Sequence, residues 1–131
     1  MTSDARTAAA PTTKARGDAA EAEALAYLVA RGLIPVERNY RVARGPSARG
    51  GEVDLIVRDS DGTLVFVEVR ARRDARHGGA AASIGAVKQQ RLVFAARHFL
   101  RRFAAPPPCR FDVVTVEGDK IEWLRAAFDA S

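Results

Sequence analysis

The spacing of apolar residues along the first part of the chain is that of a helix followed by a strand. Residues 18–31 are predicted to form a helix, because apolar side chains recur there every three or four positions. This apolar stripe consists of Ala22, Leu25, Leu28 and Val29. Gly32 is typical of the residue that follows a helix. Residues 33–42, with Pro35 near their start, are predicted to be a strand.

Two further strands are predicted on either side of a tight turn. Residues 52–58 and 63–72 are rich in Val, Ile, Leu and Phe, which favours strands. The segment Asp59-Ser60-Asp61-Gly62 between them is typical of a β-hairpin. A loop rich in Gly, Ser, Pro and Arg, residues 44–51, precedes this pair of strands.

The second half of the chain begins with a loop rich in glycine and arginine, residues 73–82. Ser83 is the predicted N-cap of a helix over residues 84–103. The buried side of this helix is predicted to comprise Val87, Leu92, Ala95, Ala96, Phe99 and Leu100. Prolines at 106–108 end it. Strands at residues 110–116 and 120–124 and a short helical turn at 126–128 complete the prediction.

This order, α-β-β-β-α-β-β, predicts an α/β fold with a central mixed sheet of about five strands flanked by helices. The helical crossover should be right-handed and leave its two flanking strands parallel. A length of 131 residues favours one domain. We assign residues 17–131 to it, and residues 1–16, rich in Ala, Thr, Lys and Arg, to a disordered basic tail.

The register of the predicted hairpin follows from the residues that face each other. With a three-residue loop, in which Gly62 is left-handed, one face is wholly apolar: Val53–Val69, Leu55–Val67 and Val57–Val65. The other face pairs Ile56 with Phe66, Asp54 with Glu68, and Glu52 with Arg70. A two-residue loop would mix charged and aliphatic residues on both faces. Such a slip is costly when one face is buried, so we prefer the three-residue loop.

In this register the carboxylates of Asp54 and Glu68 are neighbours, with Cβ atoms about 4.5–5.5 Å apart. Their repulsion requires a shared proton, an arginine or a metal between them. A hard cation such as Mg²⁺ (or Mn²⁺) suits two carboxylates together with water and a substrate phosphate, and it can position water for phosphodiester hydrolysis. The structural alternative is a surface pair held by arginines.

The charge distribution favours a polyanionic partner. The net charge is +5, and arginine supplies 18 of the 21 basic residues. Residues 70–110 contain ten basic residues against one acidic residue, and residues 38–49 contain four arginines and no acid. Such clusters are typical of nucleic-acid binding, although a high-GC genome would also favour arginine.

Cysteine content and hydropathy favour a cytoplasmic protein. A lone cysteine, Cys109, forms no internal disulfide and indicates a reducing compartment. No segment approaches the roughly 18 apolar residues of a membrane span, so no membrane partner is expected. Residues 1–16 lack the apolar core of a secretory signal. His77, His98 and Cys109 lack the spacing of a zinc site, and Asp112 is expected to pair with an arginine.

Two motifs on the central strands are similar to those of a known family. They are Gly51-Glu52-Val53-Asp54-Leu55-Ile56 and Phe66-Val67-Glu68-Val69-Arg70. Further matches are Arg38-Asn39-Tyr40, Gly78, Lys88 and Arg110-Phe111-Asp112-Val113-Val114. With these residues the chain resembles the YraN-like family over residues 17–129. That family is similar to archaeal Holliday-junction resolvases and to the PD-(D/E)xK, restriction-endonuclease-like superfamily.

The resemblance implies a restriction-endonuclease-like fold and a metal-dependent nuclease that acts on DNA, with a homodimer as the expected assembly. It implies that Asp54 and Glu68 bind Mg²⁺ or Mn²⁺, and that Glu21 adds an acid from the first helix. Glu21 also shares the side of Leu25 and Leu28 by its spacing, although a solvated helix residue is the alternative.

Arg70 occupies the position where the nuclease motif usually has lysine. Arginine stays protonated and is a poor base, but it can bind the scissile phosphate; alternatively, it forms a structural ion pair with Glu52. Lys88, near the start of the second helix, can supply the missing amine. The residues predicted to contact nucleic acid are Arg44, Arg49, Arg72, Arg73, Arg76 and Arg91.

Three functions therefore remain open. The first is a metal-dependent nuclease that cuts branched or structured DNA. The second is a nucleic-acid-binding protein on a nuclease fold that does not cut, because arginine replaces the motif lysine. The third is an interaction subunit for an acidic protein partner, which would show no salt-dependent affinity for nucleic acid.

Overall fold

Two helices and five strands follow one another in the predicted order. The computed structural model describes residues 13–43, 50–71 and 84–130. Its elements are α1 (Thr13–Ala30), β1 (Ile34–Val42), β2 (Gly51–Arg58), β3 (Leu64–Ala71), α2 (Ala86–Leu100), β4 (Cys109–Glu117) and β5 (Lys120–Phe128). The predicted α/β class and element order are confirmed.

The five strands form one mixed sheet in the order β1-β2-β3-β4-β5. β3 and β4, on either side of the α2 crossover, are parallel, as predicted, and the other neighbours are antiparallel. One core cluster packs α1 against the sheet and a second packs α2 against it. Each helix therefore covers the sheet through its own apolar cluster, as expected for strands with apolar residues on both faces.

The first helix begins earlier than predicted, at Thr13, within the segment assigned to the tail. Residues 1–12 lie outside the described residues. Its buried apolar residues are Ala20, Ala24 and Leu28, which recur every four positions and face the sheet. The predicted stripe was wrong at Ala22 and Val29, which are exposed.

The second helix begins at Ala86 with Gly85 as its N-cap, and no side chain caps it. The predicted cap, Ser83, lies outside the described residues. Of the predicted buried side, Leu92, Ala95, Ala96 and Phe99 are buried, whereas Val87 is 53% exposed and was wrongly included. Val87 lies in the first turn of α2, ahead of Leu92, the first buried residue of the helix.

The three-residue hairpin loop is confirmed. The Asp59 N–H donates to the Thr63 carbonyl at 2.9 Å, which closes the loop. Gly62 has φ +91°, a conformation that favours glycine. Beyond the loop, β2 and β3 pair in the predicted register: Arg58–Leu64, Val57–Val65, Ile56–Phe66 and Leu55–Val67.

The prediction that Val53 shares a face with Leu55 and Val57 was wrong. Val53 packs in the α2 cluster, whereas Leu55 packs in the α1 cluster. The side chains change sides at Asp54, which lies opposite Asn39 on β1, between two regular pairs. Asn39 has φ +53°, so both strands bend at this level. The bend turns Asp54 away from a regular cross-strand position.

The helical turn predicted at residues 126–128 was also wrong, because β5 continues to Phe128. Ala126 has φ +51°, and its N–H donates to Oδ1 of Asp112 at 2.9 Å. The carboxylate of Asp112 thus bridges a bulge in the strand pair, after which Phe128 pairs with Phe111. The expected arginine partner of Asp112 is Arg110, whose Nε lies 3.0 Å from Oδ1.

Candidate functional site

The predicted acid pair lies where the ladder between β2 and β3 ends. The last backbone pair is Leu55–Val67. Beyond it, the Val69 N–H donates to Oδ2 of Asp54 at 2.8 Å. The side chain of Asp54 therefore takes the place of a backbone acceptor on β2. Asp54 and Glu68 are not a regular cross-strand pair as predicted, but their carboxyl groups are close enough for the charge of Asp54 to raise the pKa of Glu68.

Glu68 is a buried acid with an incomplete set of partners. It is 4% exposed. Burial, followed by the charge of Asp54, raises the pKa of Glu68 to about 8. Its Oε1 atom is buried and has no hydrogen-bond partner. Such a group needs a proton or a cation, because an isolated charge in this position is costly.

Glu21 brings a third acid to this region from α1. It is 9% exposed, and burial, followed by the charge of Asp54, raises the pKa of Glu21 to about 7. Its Oε1 atom lies 4.0 Å from a guanidinium nitrogen of Arg38 and has no hydrogen-bond partner. Glu23 is exposed, so the spacing distinguished the inward acid from the outward one.

Lys88 reaches the acid pair from α2. Its Nζ atom lies 3.6 Å from Oε2 of Glu68, and the attraction of its charge lowers the pKa of Glu68. The first turn of α2, which precedes the buried residues of the helix, carries this amine. The hypothesis that Lys88 supplies an amine at the position of the missing motif lysine is consistent with this placement.

Glu52 is a member of the site that the sequence analysis did not include. Its carboxylate attracts three cations: Arg41 Nε at 3.9 Å, Lys88 Nζ at 3.8 Å and an Arg91 terminal nitrogen at 3.8 Å. The spacing of Lys88 and Arg91, three positions apart on one helix, could have indicated a shared acidic partner.

The expected ion pair between Arg70 and Glu52 does not occur among the residues that the structure describes. Arg70 is half-buried at the end of β3. Its charge contributes to lowering the pKa of Glu68. The guanidinium thus acts on the same acid as Lys88.

Most of the predicted nucleic-acid contacts cannot be assigned positions. Arg44, Arg49, Arg72, Arg73 and Arg76 lie outside the described residues. In the sequence, Arg44 and Arg49 fall between β1 and β2, and the other three follow β3. Arg91 is described and lies on α2 beside Glu52.

The acids fit a hard cation only with help from other ligands. Within the described ranges, no group of three Asp, Glu, His or Cys side chains could hold a metal ion by itself. Asp54 and Glu68 supply two carboxylates, and Oε1 of Glu68 is buried without a hydrogen-bond partner. Mg²⁺ commonly uses one or two carboxylates and completes its shell with water and substrate phosphate.

Two further candidate ligands, His98 and Cys109, lie on different elements, α2 and β4. His98 Nδ1 lies 2.6 Å from the hydroxyl of Tyr40, and Cys109 is an exposed free thiol on β4. Neither of the two helices described is long and apolar enough to cross a bilayer.

Comparison with known proteins identifies one family. The model of the Uncharacterised protein family UPF0102 matches residues 20–116, which include Glu21, Asp54, Glu68 and Lys88. A UPF0102 protein of Methylibium petroleiphilum is 70% identical over 92% of this chain and 98% of its own length. UPF0102 proteins of Polaromonas sp. (62% identical; 92% and 85%) and Acidovorax sp. (60%; 95% and 92%) are similar over nearly the same span.

Proposed function

The chain belongs to the uncharacterised protein family UPF0102, and we propose that it is a metal-dependent nuclease that hydrolyses phosphodiester bonds in branched or structured DNA. The observation that carries this proposal is the contact between Asp54 and Glu68 at the end of the β2–β3 ladder, with Lys88 Nζ 3.6 Å from Glu68. Two acids and an amine in one place are the groups that metal-assisted phosphodiester cleavage needs.

Asp54 and Glu68 are the residues that would hold Mg²⁺ or Mn²⁺. When bound, the metal would polarise the phosphate and make bound water more acidic. Asp54 is kept in position by the Val69 N–H. Glu68 has a buried oxygen without a hydrogen-bond partner, and this oxygen would be a ligand for the metal.

Lys88, Arg70 and Glu21 support three further steps. The ammonium group of Lys88, beside Glu68, can orient the attacking water through its hydrogen-bond donors. Arg70, whose charge acts on the same acid, neutralises the phosphate as negative charge develops. Glu21, with its pKa raised to about 7, can give or take a proton near neutral pH.

The proposed substrate follows from charge and from the family resemblance. The net charge of +5 favours a polyanion. The motif similarity to Holliday-junction resolvases and the PD-(D/E)xK superfamily favours structured DNA over a defined base sequence. A reducing, cytoplasmic setting agrees with the single free cysteine.

The test is cleavage of four-way junctions, flaps and single strands by the pure protein in Mg²⁺ or Mn²⁺. The control is the double variant Asp54→Asn, Glu68→Gln, which keeps side-chain shape and removes both charges. We expect wild-type cleavage to exceed that of the variant by roughly a thousandfold, comparable to the loss of a catalytic unit. Equal rates for the two proteins would refute the nuclease proposal.

A nucleic-acid-binding protein without cleavage is the second candidate, and the arginine at position 70 favours it. It predicts binding that weakens steeply with salt while no substrate is cut. A gel-shift series across salt concentrations, run beside the cleavage assay, separates the two candidates.

A further inference from the structure

The carboxylate of Glu52 lies near three cations from β1 and α2 but forms no hydrogen bond with them. Arg41 comes from β1, and Lys88 and Arg91 come from α2. All three nitrogens lie 3.8–3.9 Å from the carboxylate, which is beyond hydrogen-bonding distance. The cations are therefore held by charge alone, and their N–H donors are not spent on Glu52.

The three cations also remain accessible. The side chain of Arg41 is 72% exposed, that of Arg91 is 36% exposed and that of Lys88 is 29% exposed. Among the described residues, Arg41 and Arg91 have Glu52 as their acidic partner and Lys88 shares Glu52 with Glu68. The Nε atom of Arg91 is buried without a hydrogen-bond partner. An additional anion would complete this group.

The backbone beside Glu52 holds this arrangement in place. A Cβ on Gly51 would lie 2.3 Å from the carbonyl oxygen of Arg91, so β2 and α2 touch at this point. This close approach fixes the distance between Glu52, the residue after Gly51, and the α2 residues Lys88 and Arg91. Lys88 lies near both Glu52 and the acid pair, since its Nζ atom is also 3.6 Å from Glu68.

We propose that Glu52 is a positioning residue for a second phosphate site, formed by Arg41, Lys88 and Arg91, which binds the phosphodiester next to the one that is cut. Guanidinium and ammonium donors form strong, charge-assisted bonds with phosphate oxygens. The bound phosphate replaces Glu52 as the partner of Arg41 and Arg91, whereas Glu52 continues to hold Lys88 toward Glu68. This inference rests on the proposed function.

The experiment compares Glu52→Gln with Glu37→Gln. Glu37 on β1 has a similar ion pair, 3.9 Å from Arg102, so its loss measures the general effect of removing one acid. Binding of a four-way junction is measured without divalent metal, and single-turnover cleavage is measured with Mg²⁺. Thermal unfolding checks that each variant folds.

We expect Glu52→Gln to bind DNA roughly three to ten times more tightly than wild type, because a competing anion is gone. Its salt dependence should steepen by about one counterion. Its cleavage should slow roughly ten- to a hundredfold, because Lys88 loses its position. Glu37→Gln should change both quantities less than twofold. Opposite changes in binding and cleavage are not expected from simple loss of stability.

Two outcomes overturn the inference while the nuclease proposal stands: Glu52→Gln binds no more tightly than Glu37→Gln, or it cuts at the wild-type rate. If wild type neither binds nor cuts DNA, both proposals fall. Should Glu52→Gln not fold, Glu52→Asp replaces it. This variant keeps the charge and shortens the reach, so binding should stay at the wild-type level and cleavage should still fall. A wild-type cleavage rate in that variant overturns the inference.

Discussion

The Nζ atom of Lys88, on the first turn of α2, lies 3.6 Å from Oε2 of Glu68, on β3. The two residues belong to different elements, so only the folded chain joins them. This contact brings an amine to the acid pair although Arg70 occupies the slot of the motif lysine. In the proposed nuclease, the amine and the motif position are thus separate.

Moving the amine between these two positions provides the first prediction. Lys88→Met should lower the cleavage rate roughly a hundredfold, because no other amine contacts Glu68 among the described residues. Adding Arg70→Lys to that variant should raise its cleavage rate at least tenfold. Single-turnover rates at saturating enzyme measure both effects. No rescue by Arg70→Lys, combined with normal DNA binding, would show that an amine at position 70 cannot replace Lys88.

The second prediction concerns the stability of the metal-free protein. Glu68 has a pKa of about 8 in the folded chain and 4.5 as its ordinary value. Between these values the folded state binds a proton that the unfolded state has released, so the free energy of unfolding falls as pH rises from about 5 to about 8. The loss should be on the order of 3–5 kcal/mol.

Denaturant unfolding across pH checks this dependence. Glu68→Gln should remove most of it, and Glu21→Gln should remove a smaller part that ends near pH 7, the raised pKa of Glu21. Glu23→Gln, on the exposed side of α1, is the matched control and should leave the wild-type profile unchanged. A wild-type profile in Glu68→Gln would contradict the assignment.

How far the site could be predicted from the sequence depended on the range of the interaction. The hairpin register followed from local apolar pairing, and the inward direction of Glu21 followed from helical spacing. Val53 was misplaced because the bend at Asp54 depends on Asn39 of a neighbouring strand. The extension of β5 was missed because the carboxylate of Asp112 stabilises Ala126 from another strand. Such distant side-chain acceptors leave no periodic signal.

The third prediction concerns divalent metal. Mg²⁺ should raise the melting temperature of wild type at pH 8, where a cation can replace the proton on Glu68. At a hundredfold excess over Kd the gain would be about 2.7 kcal/mol. The gain should shrink as pH falls toward 6, since protons compete for Glu68. Differential scanning calorimetry with and without Mg²⁺ measures it.

The matched control for this effect is Asp54→Asn, Glu68→Gln, which should show no specific gain with Mg²⁺. Glu37→Gln, away from the acid pair, should gain as much as wild type. An equal Mg²⁺ effect in the double variant would mean that the ion acts elsewhere on the protein, and the two carboxylates would then lose their role as ligands.

The fourth prediction concerns the contact that holds α2 over β2. Gly51→Ala places a methyl group 2.3 Å from the carbonyl oxygen of Arg91 and 3.0 Å from the backbone nitrogen of Ala95. Because both are backbone atoms, the helix must move, at a cost of roughly 2–4 kcal/mol. Gly17→Ala, in α1, meets nothing within 4 Å and should stabilise the protein by about 1 kcal/mol.

Denaturant unfolding of the two variants tests the contact, and DNA cleavage tests its consequence. A displaced α2 carries Lys88 and Arg91 away from Glu68 and Glu52, so Gly51→Ala should cut slowly even under conditions where it is fully folded. Gly17→Ala should cut at the wild-type rate, because α2 is untouched. If Gly51→Ala unfolds at the wild-type denaturant concentration, the close approach is relieved without cost. The contact between β2 and α2 would then not fix the distance of Lys88 and Arg91 from Glu52.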